Sequence, residues 1–154
     1  MLKPLCRVWP TDKRIAGIHS IPVTEDGLIV MAWDKYEQTL TTVGGRIEGD
    51  ENLDAALDRE TVEEAGLLLE DNRVPVASWH WETTDSYTVF VLAKVKQYVD
   101  MPGGFETTGR VMMNIETALQ MINKLEGEGL RTELLRIVEQ ELQQVQDINN
   151  KGTT

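Results

Sequence analysis

Residues 44–67, GGRIEGDENLDAALDRETVEEAGL, constrain the fold of this chain more than any other stretch, because the helix they encode has charge where its apolar face should be. Asp50 or Asn52 can cap a helix over residues 52–65, and Gly66 stands where a left-handed residue ends one. At about 100° per residue, Leu53, Ala56 and Leu57 share a stripe, and Glu60, Glu63 and Glu64 continue it one to two turns later. A surface helix ordinarily carries its charge opposite its apolar face. Two carboxylates about 5 Å apart repel by roughly 3 kcal/mol at an effective dielectric of about 20. Acids near a helix C-terminus also oppose the macrodipole. The cluster therefore needs compensation. Arg59 supplies part of it, four residues before Glu63 and able to reach back to Glu51. A divalent cation supplies more, and an all-oxygen donor set suits Mg²⁺ or Mn²⁺ rather than zinc. The alternative is an acidic helix end in water, which bears the repulsion uncompensated. Gly44-Gly45 reads as a turn that lets backbone approach the cluster.

Around this segment the pattern is mixed α and β. Residues 14–24 and 28–33 are predicted strands joined by the turn at 25–27, a hairpin, and 39–43 form a short β-rich approach to the glycine pair. Residues 73–84 and 86–98 give two long strands with a turn at Thr83-Thr84-Asp85-Ser86. A loop marked by Pro102, Gly103 and Gly104 covers 99–109, followed by a short strand at 110–115 and a short helix at 116–125. Leu130, Leu134, Ile137, Val138, Leu142, Val145 and Ile148 recur at helical spacing, so 130–148 is a long helix with a frayed tail at 149–154. Its apolar positions run over about five turns, more than one small sheet face usually covers, and suggest a homodimer seam; packing on the chain's own sheet is the alternative.

A chain of 154 residues fits one domain with a full core. A net charge of −11 argues against a protein that grips nucleic acid through its phosphates, but not against a small anionic substrate brought in beside a cation; a nucleoside triphosphate, ADP-ribose, a nucleotide sugar, a dinucleoside polyphosphate and capped RNA all stay open. The single Cys6 cannot form an internal disulfide or a Cys-rich zinc site. No apolar run approaches the roughly 20 residues of a membrane span, and the opening stretch lacks the apolar core of a signal peptide. A cytoplasmic location is expected.

Gly45, five residues, Glu51, seven residues, then Arg59-Glu60-Thr61-Val62-Glu63-Glu64-Ala65-Gly66-Leu67 resembles the Nudix box, G-x5-E-x7-R-E-U-x-E-E-x-G-U, of the Nudix (MutT-like) hydrolases. Every charged and glycine position matches; Thr61 departs, standing where the family usually has an aliphatic residue. The resemblance implies an α+β fold, an α/β/α sandwich with a mixed sheet, the box as loop–helix–loop, and here a long C-terminal helix. It implies a metal-dependent pyrophosphohydrolase that cleaves a nucleoside diphosphate linked to another moiety, with Mg²⁺ or Mn²⁺ as cofactor. By position, Glu60, Glu63 and Glu64 correspond to metal ligands, with the Gly44 carbonyl as a further one. Arg59 and Glu51, with Gly45 and Gly66, correspond to the bracing of loop and helix. The general base is a box glutamate, Glu63 or Glu64, or else Glu106 in the later loop.

The remaining residues are less informative. Trp79 and Trp81 share a strand face opposite His80, and Trp33, Tyr87, Phe90, Tyr98 and Phe105 are further aromatics. One of them stacking on a base is an alternative to core packing for each. Lys13-Arg14 is a phosphate contact or an ordinary surface pair, His19 and His80 are expected to be structural, and Cys6 inert. Two other classes compete with a hydrolase: a catalytically idle nucleotide-binding module, which has no need to keep so costly an acidic set, and an oligomerisation protein led by the C-terminal helix. A small nucleotide is the expected substrate, with no DNA-binding surface and no membrane partner.

Overall fold

A computed structural model describes the backbone of residues 1–151 and the side chains of residues 1–144. Nine strands among these residues form one mixed sheet. They are β1 (Leu2–Pro4), β2 (Arg14–Val23), β3 (Ile29–Asp34), β4 (Thr39–Thr41), β5 (Val43–Arg46), β6 (Leu67–Leu69), β7 (Val74–Trp81), β8 (Ser86–Tyr98) and β9 (Thr107–Met113). The helices are α1 (Leu53–Ala65), α2 (Ile115–Glu126) and α3 (Leu130–Lys151). The order across the sheet is β1-β7-β8-β2-β3-β4, with β5 on β2, β6 on β8 and β9 on β3. β2 and β8 run parallel and the other pairs antiparallel.

The period of two in β8 shows how the layers arise. Phe90 and Leu92 turn to one face, where they meet Ala118 and Ile122 of α2 and Leu134, Leu135 and Val138 of α3. Val89, Val91 and Ala93 turn to the other, against Ala56 and Leu57 of α1. Sheet and helices thus make an α/β/α sandwich. The apolar stripe of α3 serves this core: Leu134 and Val138 are fully buried, and Leu130, Ile137 and Leu142 pack at its margin. Up to Leu142 the expected intermolecular seam is therefore covered within the chain. The helix also continues into the expected tail, reaching Lys151. Residues 152–154, and the side chains of Val145 and Ile148, lie outside the described residues.

Several boundaries differ from the sequence expectation for local reasons. Gly44-Gly45 is no turn; it belongs to β5, with His19 opposite Gly44 and Ile18 opposite Gly45. Backbone packs so closely here that a Cβ on Gly44 would overlap the Ile18 carbonyl oxygen and the His19 Cα. Residues 39–43 divide into β4 and the start of β5, because Thr42 directs β5 away from β3 onto β2. Asn114, expected within a strand, caps α2 by accepting the Thr117 N–H at 2.8 Å.

Candidate functional site

α1 starts at Asn52 rather than Asp50: the Asn52 side chain accepts the Ala55 N–H at 2.8 Å. It ends at Gly66, which has φ 62° and ψ 48°. The buried positions are Ala56, Leu57, Glu60, Thr61 and Ala65. The inward stripe thus includes Glu60, only 8% exposed, while Glu63 and Glu64 lie on its partly exposed flank. Thr61 is fully buried where an aliphatic residue was expected, and its hydroxyl donates to the Leu57 carbonyl at 2.5 Å. That bond on its own helix lets the polar group occupy an apolar position without an orphaned donor.

Arg59 ties the segment together. Its Nε and Nη2 donate to the two oxygens of Glu51 at 2.8 and 3.0 Å, and Nη2 also reaches the Arg46 carbonyl at 3.1 Å. Nη1 donates to Glu60 at 3.0 Å and to Glu63 at 3.2 Å. Glu51 in turn accepts the Glu48 N–H at 2.8 Å, closing the loop before the helix. The guanidinium holds Glu51 below the usual carboxylate range. Burial pushes Glu60 upward, and Arg59 opposes that.

Glu64 has no such partner. Burial pushes its carboxyl up to about 7, and the carboxylates of Glu60, Glu106 and Asp34 add to the rise. A group half-ionised at neutral pH, in a cleft, has the character of a functional acid or base. The cleft holds about 720 Å³ and is lined by Gly44, Gly45, Glu48, Arg59, Glu60, Glu63, Glu64 and Glu106, with Tyr36 and Phe105 at its rim. The structure thus brings the sequence-selected residues to one cavity, except Glu51 and Gly66, which support it from outside. Glu106 is exposed, and its backbone carbonyl is held by the Lys35 N–H at 3.1 Å.

The donor set fits a hard divalent cation, since the side chains offer carboxylate oxygens and the Gly44-Gly45 backbone comes beside them. A Cβ on Gly45 would lie 2.5 Å from Glu60 Oε1, so the glycine leaves room for that carboxylate. Among the described residues no three acidic, His or Cys side chains converge on a single point, however. Glu60 and Glu63 are turned to Arg59, whose Nη1 lies between them as a cation would. To hold a metal they must exchange those donors for the ion.

Arg110 escaped the sequence reading. Its Nη1 donates to the carbonyls of Ala65 and Gly66 at 3.0 Å each and of Val99 at 3.2 Å, and its guanidinium lies 5.0 Å from the Tyr98 ring centroid. It supplies the positive charge that the last turn of α1 lacks. An acidic helix end without its own cation was the available signal, but nothing local marks which distant arginine answers it. His19 also proved to be placed at the cleft. Its Nδ1 is 3.0 Å from the Thr42 hydroxyl, and burial lowers it to about 4, so it is neutral at pH 7. His80 bonds Asp85 at 2.8 Å, and Lys13 is taken by the same carboxylate at 2.9 Å. Phe90 is core, whereas Trp81 is exposed.

A family model described as the NUDIX domain matches residues 13–132. Among solved structures, the chain is similar to a Bacillus subtilis pyrophosphohydrolase at 16% identity, over 73% of this chain and 70% of that one, with a TM-score of 0.60. It is similar to a Caenorhabditis elegans Ap4A hydrolase at 19% identity, over 82% and 97%, with a TM-score of 0.59. A MutT protein of Methanosarcina mazei matches at 16% identity, over 94% and 100%, with a TM-score of 0.55. At these identities the likeness speaks to the fold. No curated protein matches the sequence.

Proposed function

This chain belongs to the NUDIX domain family and is a hydrolase of pyrophosphate bonds, and from that premise we propose that it cleaves a small nucleoside diphosphate derivative with the help of Mg²⁺ or Mn²⁺. The observation that carries the proposal is the cleft that Glu60, Glu63, Glu64 and Glu106 line together above a glycine strand. When bound there, a divalent cation would offset charge on the phosphoryl oxygens and acidify a water. Glu60, Glu63 and Glu64 would hold it, with the Gly44 carbonyl.

The chain's own groups do the rest. Arg59 fixes the loop before α1 through its two bonds to Glu51, so the carboxylates are presented on a braced element. Glu64, which lines the cleft beside Glu60 and Glu63, is the first candidate to take a proton from the attacking water where the cation leaves its carboxylate free. Glu106 is the second candidate, facing the same cavity from the opposite loop. Catalytically, Glu63 either shares that proton or serves only to hold the ion. The acidic surface continues to argue against DNA as a partner, and no helix among the described residues is long and apolar enough to cross a membrane. A homodimer through α3 is not part of the proposal, because Leu134 and Val138 are used in the chain's own core.

A panel of nucleoside triphosphates, ADP-ribose, nucleotide sugars and dinucleoside polyphosphates, assayed with Mg²⁺ and Mn²⁺ for released phosphate or pyrophosphate, tests the reading. Turnover of at least one substrate is expected, abolished by EDTA and restored by excess metal. No turnover with any of them would leave an idle binding module. Glu106→Gln separates a base in the later loop from one in the box. If the loop supplies the base, kcat falls about a hundredfold with KM nearly unchanged. An unaltered kcat across pH returns the role to the box glutamates, Glu63 or Glu64.

A further inference from the structure

Arg59 places two of the three box glutamates through their side chains, with Nη1 bonding Glu60 at 3.0 Å and Glu63 at 3.2 Å. Among the described residues it makes no hydrogen bond or ion pair with Glu64. The place of that carboxyl is set by the helix beneath it, and Glu64 is the penultimate residue of α1. A helix end is where an acid is hardest to hold. The last carbonyls have no partner within the helix, and the final turn frays. An acid there also opposes the macrodipole, and the last turn of α1 carries no basic residue of its own.

Strand β9 answers at this point. The buried Thr107 donates its hydroxyl to the carbonyl of Glu64 itself at 2.7 Å. Arg110 Nη1 donates to the carbonyls of Ala65 and Gly66, so three successive carbonyls are held by two side chains of one strand. A regular strand would turn residues 107 and 110 to opposite faces. β9 is not regular here. Gly109 lies opposite Trp33 and Thr107 opposite Asp34, which leaves Thr108 as an extra residue without a partner on β3. Such a bulge re-aims a side chain, and with it both Thr107 and Arg110 reach α1. Arg110 is itself seated: its guanidinium lies over the Tyr98 ring, whose hydroxyl donates to Met112 Sδ at 3.2 Å. Gly66 leaves room for it, since a Cβ there would lie 2.7 Å from Nη1. β9 has a separate anchor in the core on its other face, through Val111 and Met113.

We infer that Thr107 and Arg110 are positioning residues, which do for Glu64 through its backbone what Arg59 does for Glu60 and Glu63 through their carboxylates. Thr107 follows Glu106, which lines the same cleft, so its one hydrogen bond also fixes the spacing between the box helix and the later loop. The inference rests on the metal-dependent hydrolase reading and adds to it two residues that lie outside the box.

Thr107→Val removes the hydroxyl at nearly unchanged size, Thr107→Ser restores it, and Arg110→Met keeps the length of the side chain without its donors. Mn²⁺ affinity of the substrate-free protein, read by electron spin resonance, is expected to fall about tenfold in Thr107→Val and Arg110→Met and to stay within about twofold of wild type in Thr107→Ser. With any substrate that turns over, Thr107→Val should lower kcat about tenfold and change KM by less than about twofold. In metal-free protein, amide hydrogen exchange at residues 63–66 should quicken in Thr107→Val and Arg110→Met. Val138→Ala, in the core beyond the sheet, controls for stability: it should lower Tm and leave Mn²⁺ affinity within about twofold of wild type. Should Arg110→Met not fold, Thr107→Val decides. Unchanged exchange or undiminished Mn²⁺ affinity in Thr107→Val, an equal loss in Thr107→Ser, or an equal loss in Val138→Ala would each overturn the inference. Wild-type protein that binds no Mn²⁺, with exchange still quickened in Thr107→Val, would keep the seating of the helix end and lose the metal-dependent reading.

Discussion

Glu64→Gln should lower kcat about a thousandfold while leaving the chain folded. The amide keeps the shape of the carboxyl but can neither take a proton nor carry charge to a metal. Mn²⁺ titration should show weaker binding than in wild type, and equal affinity would remove Glu64 from the ligand set. The same variant has a signature in the metal-free protein. The folded chain raises Glu64 from 4.5 to about 7, so across that window it holds a proton that the unfolded chain releases. Stability from this group is therefore full below pH 4.5 and is lost as pH rises through 7. Thermal unfolding in EDTA should find Glu64→Gln more stable than wild type at pH 8, by about 1 kcal/mol once partial exposure is allowed for, and the difference should vanish near pH 4.5. A variant less stable than wild type at pH 8 would make Glu64 a structural residue.

The glycine pair in β5 should separate fold from function. Gly44→Ala drives a methyl group into the Ile18 carbonyl and the His19 Cα, backbone atoms that cannot yield without parting β2 from β5. A cost of about 3 kcal/mol is expected, which lowers Tm by about 10 °C in a chain of this size. Gly45→Ala meets a different neighbour, the carboxylate of Glu60 at 2.5–2.8 Å. The far end of a flexible side chain can move aside, so the fold should survive with a Tm within a few degrees of wild type. The displaced carboxylate is then misplaced for a cation, and Mn²⁺ affinity should fall on the order of tenfold to a hundredfold. Equal loss of stability in the two variants would contradict the geometry.

The difference between neighbouring glycines was not legible from sequence. Gly-Gly before a helix looks like a turn, and it takes the register of β5 on β2 to show extended backbone pressed against another strand. α1, by contrast, could be placed closely because its cap, stop and apolar period agree, and its conflict between apolar stripe and charge pointed to the site. β1 and β6 are three residues each, too short to display a period. Among the site residues, those inside one continuous segment were within reach of pattern. Arg110 was not, since it bonds carbonyls 44 and 45 positions away. Of the C-terminal stripe, Leu134 and Val138 join the chain's own core with α2, as the alternative to a dimer seam expects, while the side chains of Val145 and Ile148 lie outside the described residues.

The loop that carries Glu106 is tied down at both ends, and among the described residues its middle, 102–105, makes no hydrogen bond. At its start the Val99 N–H donates to the Gly66 carbonyl at 2.8 Å and the Val99 carbonyl accepts from Arg110. At its finish the Glu106 carbonyl accepts the Lys35 N–H, and the Thr107 hydroxyl donates to the Glu64 carbonyl at 2.7 Å. Between them, Gly103 and Gly104 have open space where a Cβ would point. Closure entropy grows slowly with loop length. The middle of this loop can therefore gain or lose residues, or exchange one sequence for another, without moving the acid at its end. A lineage could reshape the mouth of the cleft through that span, fitting it to a bulkier or smaller leaving group, while the hydrolytic chemistry behind it is inherited unchanged.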